Sequence, residues 1–328
     1  MNLRLAVFDL AAAWRLPPHD RRRLLQLAGF GVEPAGLPSR LAQGLAVVAA
    51  ALGGMGLVMW IAANWNDFGR AGRFALLQGV VVVMGLGAWR RPAARPALGL
   101  LTLLGVGALL AYFGQTYQSG ADPWQLFALW AALVLPLALG VRSDVVWAPW
   151  ALVAMTAVFL WTRAHAGNDR WWSQPGLDTT LVHLVGWAMS IALVLALGPA
   201  LRGRTGAGVW AMRTSVTLSV MAITFSALLG LVGALQPLYG LGLLMTGAAG
   251  WLFSRRGHFD VFALSAVVLA LDTLLVSGLA RWLLEHKRLV DWYGLFLLIG
   301  LFAAALVAAS VHVVMRVART HAVSKGWS

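Results

Sequence analysis

Polar side chains that could bind a ligand are concentrated in one short segment of an otherwise apolar chain. Residues 114–127, GQTYQSGADPWQLF, contain three glutamines, a tyrosine and an aspartate between two apolar runs. The Asp-Pro-Trp sequence at 122–124 is typical of a helix start, because aspartate is a favoured N-cap and proline fits the first helical position. The turn does not require Gln115, Tyr117 or Gln118, so these side chains are the first candidates for binding.

A second polar segment is predicted at the same level of the membrane. The sequence IAANW at 61–65 ends the first apolar run, and an arginine pair, Arg70 and Arg73, lies just beyond it. In apolar surroundings such polar groups must find partners in one another, in water or in a ligand. The sequence therefore predicts an outer vestibule, with a purely structural network between helices as the alternative. The candidate ligand-binding residues of this vestibule are Asn64, Trp65, Gln115, Tyr117, Gln118 and Asp122.

One carboxylate is predicted near the bilayer centre. Asp272 lies about 12 residues, or roughly 18 Å, from the inner end of its apolar run. An aspartate there costs about 2.5–3.5 kcal/mol if it faces lipid, so we expect it to face other helices or to take a proton. Asp272 is thus a candidate for proton coupling, and a neutral carboxyl bonded to a neighbouring helix is the alternative. Its candidate partners are Gln78, Thr224, Ser226 and His183, the last of which is interpreted as an interfacial residue.

The elements that must position these residues are membrane helices. Apolar residues make up 60% of the chain and charged residues only 11%, against roughly 25% charged in soluble domains. Apolar runs of about 17–25 residues predict an all-α polytopic integral membrane bundle of about ten transmembrane helices. The predicted spans are approximately 43–63, 72–89, 97–114, 124–141, 145–162, 181–201, 214–235, 237–253, 260–280 and 292–314.

The basic residues indicate topology rather than a nucleic-acid partner. The net charge is +13, but the basic residues are spread between spans and form no single soluble basic face. Most of the 25 Lys and Arg residues fall on one side of the spans, so the positive-inside rule predicts that both termini are cytoplasmic. Residues 1–39 are predicted to form a short cytoplasmic segment with an amphipathic helix, and 40–328 the transmembrane bundle. The lipid bilayer is the partner this composition implies, and no protein partner is indicated.

The sequence contains no recognisable catalytic or metal-binding motif. It has no cysteine, no H-E-x-x-H, no phosphate-binding G-x-x-x-x-G-K and no G-x-S-x-G turn. No cluster of His, Asp and Glu has metal-ligand spacing. No catalytic residue, cofactor or metal is therefore predicted, and enzymatic activity has no support beyond the lone Asp272.

The two polar segments also carry a family resemblance. IAANW, an arginine-bearing loop, a further apolar span and then GQTYQSGADPWQLFALWAALVLPLAL resemble the bacterial multi-pass membrane proteins grouped as domain of unknown function 2157, over roughly residues 10–150. This resemblance implies a multi-pass protein of the bacterial inner membrane but supplies no mechanism. We expect a protein that binds or transports a small polar molecule or lipid headgroup through the outer vestibule. The alternative is a non-catalytic membrane subunit or scaffold.

Overall fold

The computed structural model describes nine stretches of the chain, and they are almost entirely helical. These stretches are residues 13–14, 16–28, 36–64, 67–117, 120–166, 177–232, 236–255, 259–285 and 292–325. Within them the chain forms twelve α-helices and no strand. The helices are α1 (Pro18–Leu27), α2 (Leu37–Ala63), α3 (Arg70–Arg90), α4 (Arg95–Tyr117), α5 (Pro123–Val141), α6 (Asp144–His165), α7 (Leu177–Ala196), α8 (Arg202–Thr205), α9 (Val209–Val232), α10 (Gln236–Ser254), α11 (Val261–Glu285) and α12 (Trp292–Lys325).

The predicted polytopic helical membrane bundle is confirmed. Among the described residues, nine helices are long and apolar enough to cross a membrane. Each predicted span overlaps one long helix, and the span 237–253 coincides with α10. This helix is not among the nine.

Two helix ends differ from the predicted spans. The span predicted over 181–201 ends at Ala196, because the chain leaves the helix in a turn in which the Leu201 N–H donates to the Gly198 carbonyl at 3.3 Å. The last helix, α12, has 34 residues and is therefore about 51 Å long at 1.5 Å per residue. That length exceeds the roughly 30 Å hydrocarbon core. The C-terminal end of α12 must therefore extend beyond the membrane or the helix must tilt strongly.

The bundle is organised around two helices, α6 and α9, which pack against each other. Helix α6 also packs against α4, α5 and α7, and α9 packs against α7, α10 and α11. Helix α4 connects the N-terminal helices to this centre through its contacts with α2, α3, α5 and α6. Close packing depends on small residues: a Cβ at Gly107 of α4 would collide with the Trp130 ring of α5. Helices α2 and α12 lie at the periphery, each packed mainly against one partner.

Buried and partly buried tryptophans connect neighbouring segments through their indole N–H groups. Three of them donate to backbone carbonyls of other helices or loops: Trp130 to Leu103 at 3.0 Å, Trp147 to Thr205 at 3.0 Å and Trp150 to Ala131 at 2.8 Å. An indole N–H left unpaired in an apolar interior would be costly, so these bonds allow large aromatic side chains to be buried. They also fix how α4, α5, α6 and the α8 turn sit against one another.

A carboxylate at the start of α6 joins the two central helices. The Asp144 carboxylate accepts hydrogen bonds from three backbone N–H groups at the start of α9: Gly208 at 2.7 Å, Trp210 at 2.9 Å and Ala211 at 3.3 Å. The first N–H groups of a helix have no partner within the helix, and the positive end of the helix dipole favours an anion there. Asp144 therefore links α6 to α9 on the predicted cytoplasmic side.

Candidate functional site

An open groove lies between the predicted outer ends of α2 and α3, with α4 as its floor. Both α2 and α3 pack against α4, and the space between them has a volume of about 600 Å³. The groove is lined by Val58, Ile61, Ala62, Leu77, Ala108, Ala111, Tyr112 and Gln115. Its lining is therefore apolar apart from one amide and one phenol. We call this space the α2–α4 groove.

The groove continues toward the membrane interior along the same three helices. A second space of about 310 Å³ shares Val58 and Leu77 with the outer one and adds Gly53, Leu101 and other small or apolar residues. Along α4 the two spaces extend from Leu101 to Gln115, which is roughly 21 Å at 1.5 Å per residue. The α2–α4 groove thus presents its amide at one end and an apolar surface along the rest of its length.

An aromatic and cationic cluster flanks the outer end of the groove. The Tyr117 ring is half-exposed and lies 5.9 Å from the Phe74 ring and 4.9 Å from the Phe113 ring, centroid to centroid. The guanidinium carbon of Arg70 lies 6.0 Å from the Tyr117 centroid, within the range of a cation–π contact. Phe74 also contacts the buried Tyr112 ring, at 4.7 Å. A positive charge and several rings therefore border the polar end of the groove.

The structure does not bring every predicted vestibule residue to the groove. The Asn64 side chain caps its own helix, since its Nδ2 donates to the Trp60 carbonyl at 2.9 Å. Asp122 precedes α5 as predicted, but its exposed side chain makes no capping hydrogen bond. Neither residue lines the groove. Trp65 and Gln118 lie outside the described residues.

Asp272 is buried between helices, as the sequence predicts, but it lies in a different part of the bundle. Its side chain is on α11, and Oδ1 accepts a hydrogen bond from the Ser310 hydroxyl of α12 at 2.8 Å. It forms no salt bridge with any residue in the described stretches. Helix α11 packs against α9, α10 and α12. Asp272 is therefore separated from the α2–α4 groove by the central helices.

The sequence did not identify Ser310 as the partner of this carboxyl. Three of the candidate partners hydrogen-bond backbone carbonyls of their own helices instead: Thr224 bonds Val220, Ser226 bonds Ala222 and His183 bonds Thr179. The fourth, Gln78, lies on α3, which does not pack closely against α11. Ser310 is one hydroxyl in a long apolar helix, and only its register against α11 brings it to Asp272.

The comparisons with known proteins support the membrane assignment and the family resemblance. The model of the family described as "Predicted membrane protein (DUF2157)" matches residues 9–147. This match includes α1 to α5 and every residue of the α2–α4 groove. No curated protein and no solved structure matches the chain significantly. Within the described part of the chain, no group of three or more His, Cys, Asp or Glu side chains could hold a metal ion.

Proposed function

We propose that this multi-pass membrane protein binds one amphiphile in the α2–α4 groove, with its headgroup at the outer end. The observation that carries the proposal is the distribution of polarity along the groove. Gln115 and Tyr112 lie at one end, and the inner part is lined by apolar and glycine residues. A roughly 21 Å groove of this kind fits a lipid tail beneath a polar group better than it fits a fully polar solute.

The outer end of the groove has the groups needed to recognise a headgroup. Gln115 is exposed and makes no hydrogen bond with any described residue, so its amide is available to a ligand as donor and acceptor. Arg70, whose guanidinium carbon lies 6.0 Å from the Tyr117 ring centroid, adds a positive charge beside it. These features favour a polar or anionic lipid headgroup, and we place the protein in the bacterial inner membrane on the basis of its arginine distribution and family resemblance.

A scaffold role is the second candidate function, and Asn64 is the observation that favours it. Its side-chain amide is used to cap α2, so part of the polar cluster satisfies the needs of the helices themselves. In a scaffold the groove would hold bulk lipid without selectivity. The two functions therefore differ in whether any lipid remains bound after extraction.

Native mass spectrometry of the gently extracted protein tests the proposal with matched glycine variants. A Cβ at Gly53 or at Gly56 would meet no atom within 4 Å, so a side chain can begin at either position without a clash at its Cβ. Of these two glycines, only Gly53 lines the α2–α4 groove. We expect a discrete lipid adduct on the wild-type protein, its loss in Gly53→Leu and its retention in Gly56→Leu.

A second pair of variants tests the headgroup contact. Gln115→Leu removes the amide from the groove, whereas Gln78→Leu changes an exposed glutamine of α3 that does not line it. We expect the adduct to be reduced only in Gln115→Leu. Equal adducts on both glycine variants, or none on the wild-type protein, would favour the scaffold.

Proton coupling at Asp272 is a separate proposal, supported by its burial and by the lack of a salt bridge to any described residue. Asp272→Asn keeps an oxygen that can accept from Ser310, so the variant is expected to fold. If Asp272 couples proton movement, proton flux in proteoliposomes filled with a pH-sensitive dye should disappear in Asp272→Asn and persist in Ser310→Ala. Flux that is unchanged in Asp272→Asn would reject coupling through this residue.

A further inference from the structure

A second cavity, lined by other helices and partly open to the surface, lies between α6, α7 and α9. Its volume is about 340 Å³, and half of its sixteen lining residues are Met, Leu, Val, Phe or Trp. None of its lining residues belongs to α2, α3 or α4. This cavity is therefore distinct from the α2–α4 groove, and a ligand could bind in it whether or not the groove has the function proposed above. We call it the His183 cavity.

Among the lining residues, Trp187 has a buried indole N–H with no partner in the described stretches, and His183 has an unused ring nitrogen. The His183 side chain is 6% exposed, and its Nδ1–H donates to the Thr179 carbonyl at 2.8 Å. A neutral imidazole that donates from Nδ1 has Nε2 as an acceptor, and no described residue hydrogen-bonds this nitrogen. The sequence led us to interpret His183 as an interfacial residue, but the structure buries it in the wall of a cavity.

The other lining hydroxyls are already satisfied within the protein. Thr162 and Ser226 donate to carbonyls of their own helices, at 2.9 Å and 2.8 Å. Ser190 donates to the Trp187 carbonyl at 2.8 Å and contacts the Ser219 hydroxyl at 3.0 Å. They therefore offer less to a ligand than His183 does, since each has already used its proton.

The polarity of the His183 cavity changes along the membrane normal. Helices α6 and α9 run outward and α7 runs inward in the predicted topology, so Arg163 and His183 lie toward the outer side. Met155 and Leu218 lie deeper along the same helices. The distance along α6 from Met155 to Arg163 is roughly 12 Å at 1.5 Å per residue. The cavity thus has a basic outer end and an apolar inner end.

We infer that the His183 cavity binds a single-chain carboxylic acid, with its acid group between His183 and Arg163 and its chain directed inward. One carboxyl oxygen can give its proton to Nε2 or share it, while the other accepts from the guanidinium. The acid and the imidazole together carry no net charge whether or not the proton moves, so binding adds no net charge beside the Arg163 guanidinium. A volume of about 340 Å³ is near the lower limit of ligand cavities, which run from roughly 300 to 1,000 Å³, and suits one chain rather than two.

Binding of radiolabelled dodecanoic acid to the purified full-length protein in lipid nanodiscs tests this inference. We expect saturable binding to the wild-type protein. Unlabelled methyl dodecanoate, which has the same chain but no acid group, should compete at least about tenfold more weakly. Equal competition by the ester would overturn the inference, because the cavity would then recognise only the chain.

Two histidines provide a matched pair of variants. His165 makes the same type of bond as His183, from Nδ1 to the carbonyl four residues earlier at 2.8 Å, but it is exposed and does not line the cavity. His183→Leu should weaken dodecanoic acid binding at least about tenfold, and His165→Leu should leave it unchanged. Equal behaviour of the two variants would overturn the assignment of His183 as the recognition group.

If His183→Leu fails to fold, a variant that retains the histidine can still test acid binding in the His183 cavity. Ala222 lines the cavity from α9, so Ala222→Phe should fill it and abolish binding. Wild-type binding in Ala222→Phe would show that the acid binds elsewhere. Gly53→Leu, which blocks the α2–α4 groove, should bind dodecanoic acid normally. This result distinguishes failure of the acid-binding inference for the His183 cavity from failure of the function proposed for the groove.

Discussion

Asp144→Ala is expected to destabilise the protein by separating its two central helices. The substitution removes the acceptor for three backbone N–H groups at the start of α9, and it also removes a negative charge from the positive end of that helix. A hydrogen bond to a charged group contributes about 1.5–3 kcal/mol. Asp144 and Gly208 are only partly buried and Trp210 is exposed, so water can replace some of the lost bonds. We therefore expect a total loss of about 2–4 kcal/mol.

This loss would change the unfolding equilibrium by roughly thirtyfold to several hundredfold, at 1.4 kcal/mol per factor of ten. Equilibrium unfolding in mixed micelles with increasing dodecyl sulfate measures it. Asp144→Asn keeps one oxygen acceptor and should lose less than Asp144→Ala. Asp122→Ala is the matched control, because Asp122 also precedes a helix but makes no capping bond, and its effect should lie within about 0.5 kcal/mol. If Asp144→Ala is as mild as the control, the link between α6 and α9 does not stabilise the fold.

The same unfolding assay checks two further predictions. Gly278→Ala should cost about 1–3 kcal/mol, because the added Cβ would collide with the Tyr239 hydroxyl, whereas Gly300→Ala has open space and should be neutral. Tyr239→Phe removes that hydroxyl and should reduce the cost of Gly278→Ala, so additive effects would contradict the collision. Trp150→Phe should cost about 1–3 kcal/mol because a buried indole bond is lost. Trp251→Phe, at an exposed position, should change stability little, and equal losses for the two tryptophans would refute the role of the buried bond.

Three aspartates show what local sequence can and cannot predict about helix starts. Asp122, Asp144 and Asp260 each lie at or just before the start of a long helix, which is the position local sequence rules assign to N-caps. Asp260 accepts from the Ala263 N–H at 2.9 Å and pairs with Arg213 of α9 at 3.0 Å. The Asp144 carboxylate accepts from N–H groups at the start of α9 rather than of its own helix, α6. The side chain of Asp122 makes no capping hydrogen bond. Local sequence predicts where these helices start, but the partner of each carboxylate depends on which helix end is brought near it.

Some residues of the candidate sites were predicted and others were not, because contacts between separate helices are not set by local sequence. Gln115 was identified from its unexplained polarity near a helix end, and the structure places it in the α2–α4 groove. The two cavities themselves could not be predicted, because each is the space left between three packed helices and its shape depends on how those helices meet. The burial of His183 depends on how α7 packs against α6 and α9, which its position near a helix end does not reveal.

The sequence alone determined that the chain is a helical membrane protein and where its long helices lie. Apolar run length is a local property, and a backbone in lipid must satisfy its own hydrogen bonds, so long apolar runs become helices. The same local reasoning predicted that Asp272 would be buried, because an aspartate facing lipid is costly. Only the tertiary structure decided that Ser310 is its partner and that α6 and α9 form the centre. Those choices depend on the register and close packing of side chains from separate helices, in which a shift of a single residue changes the contacts.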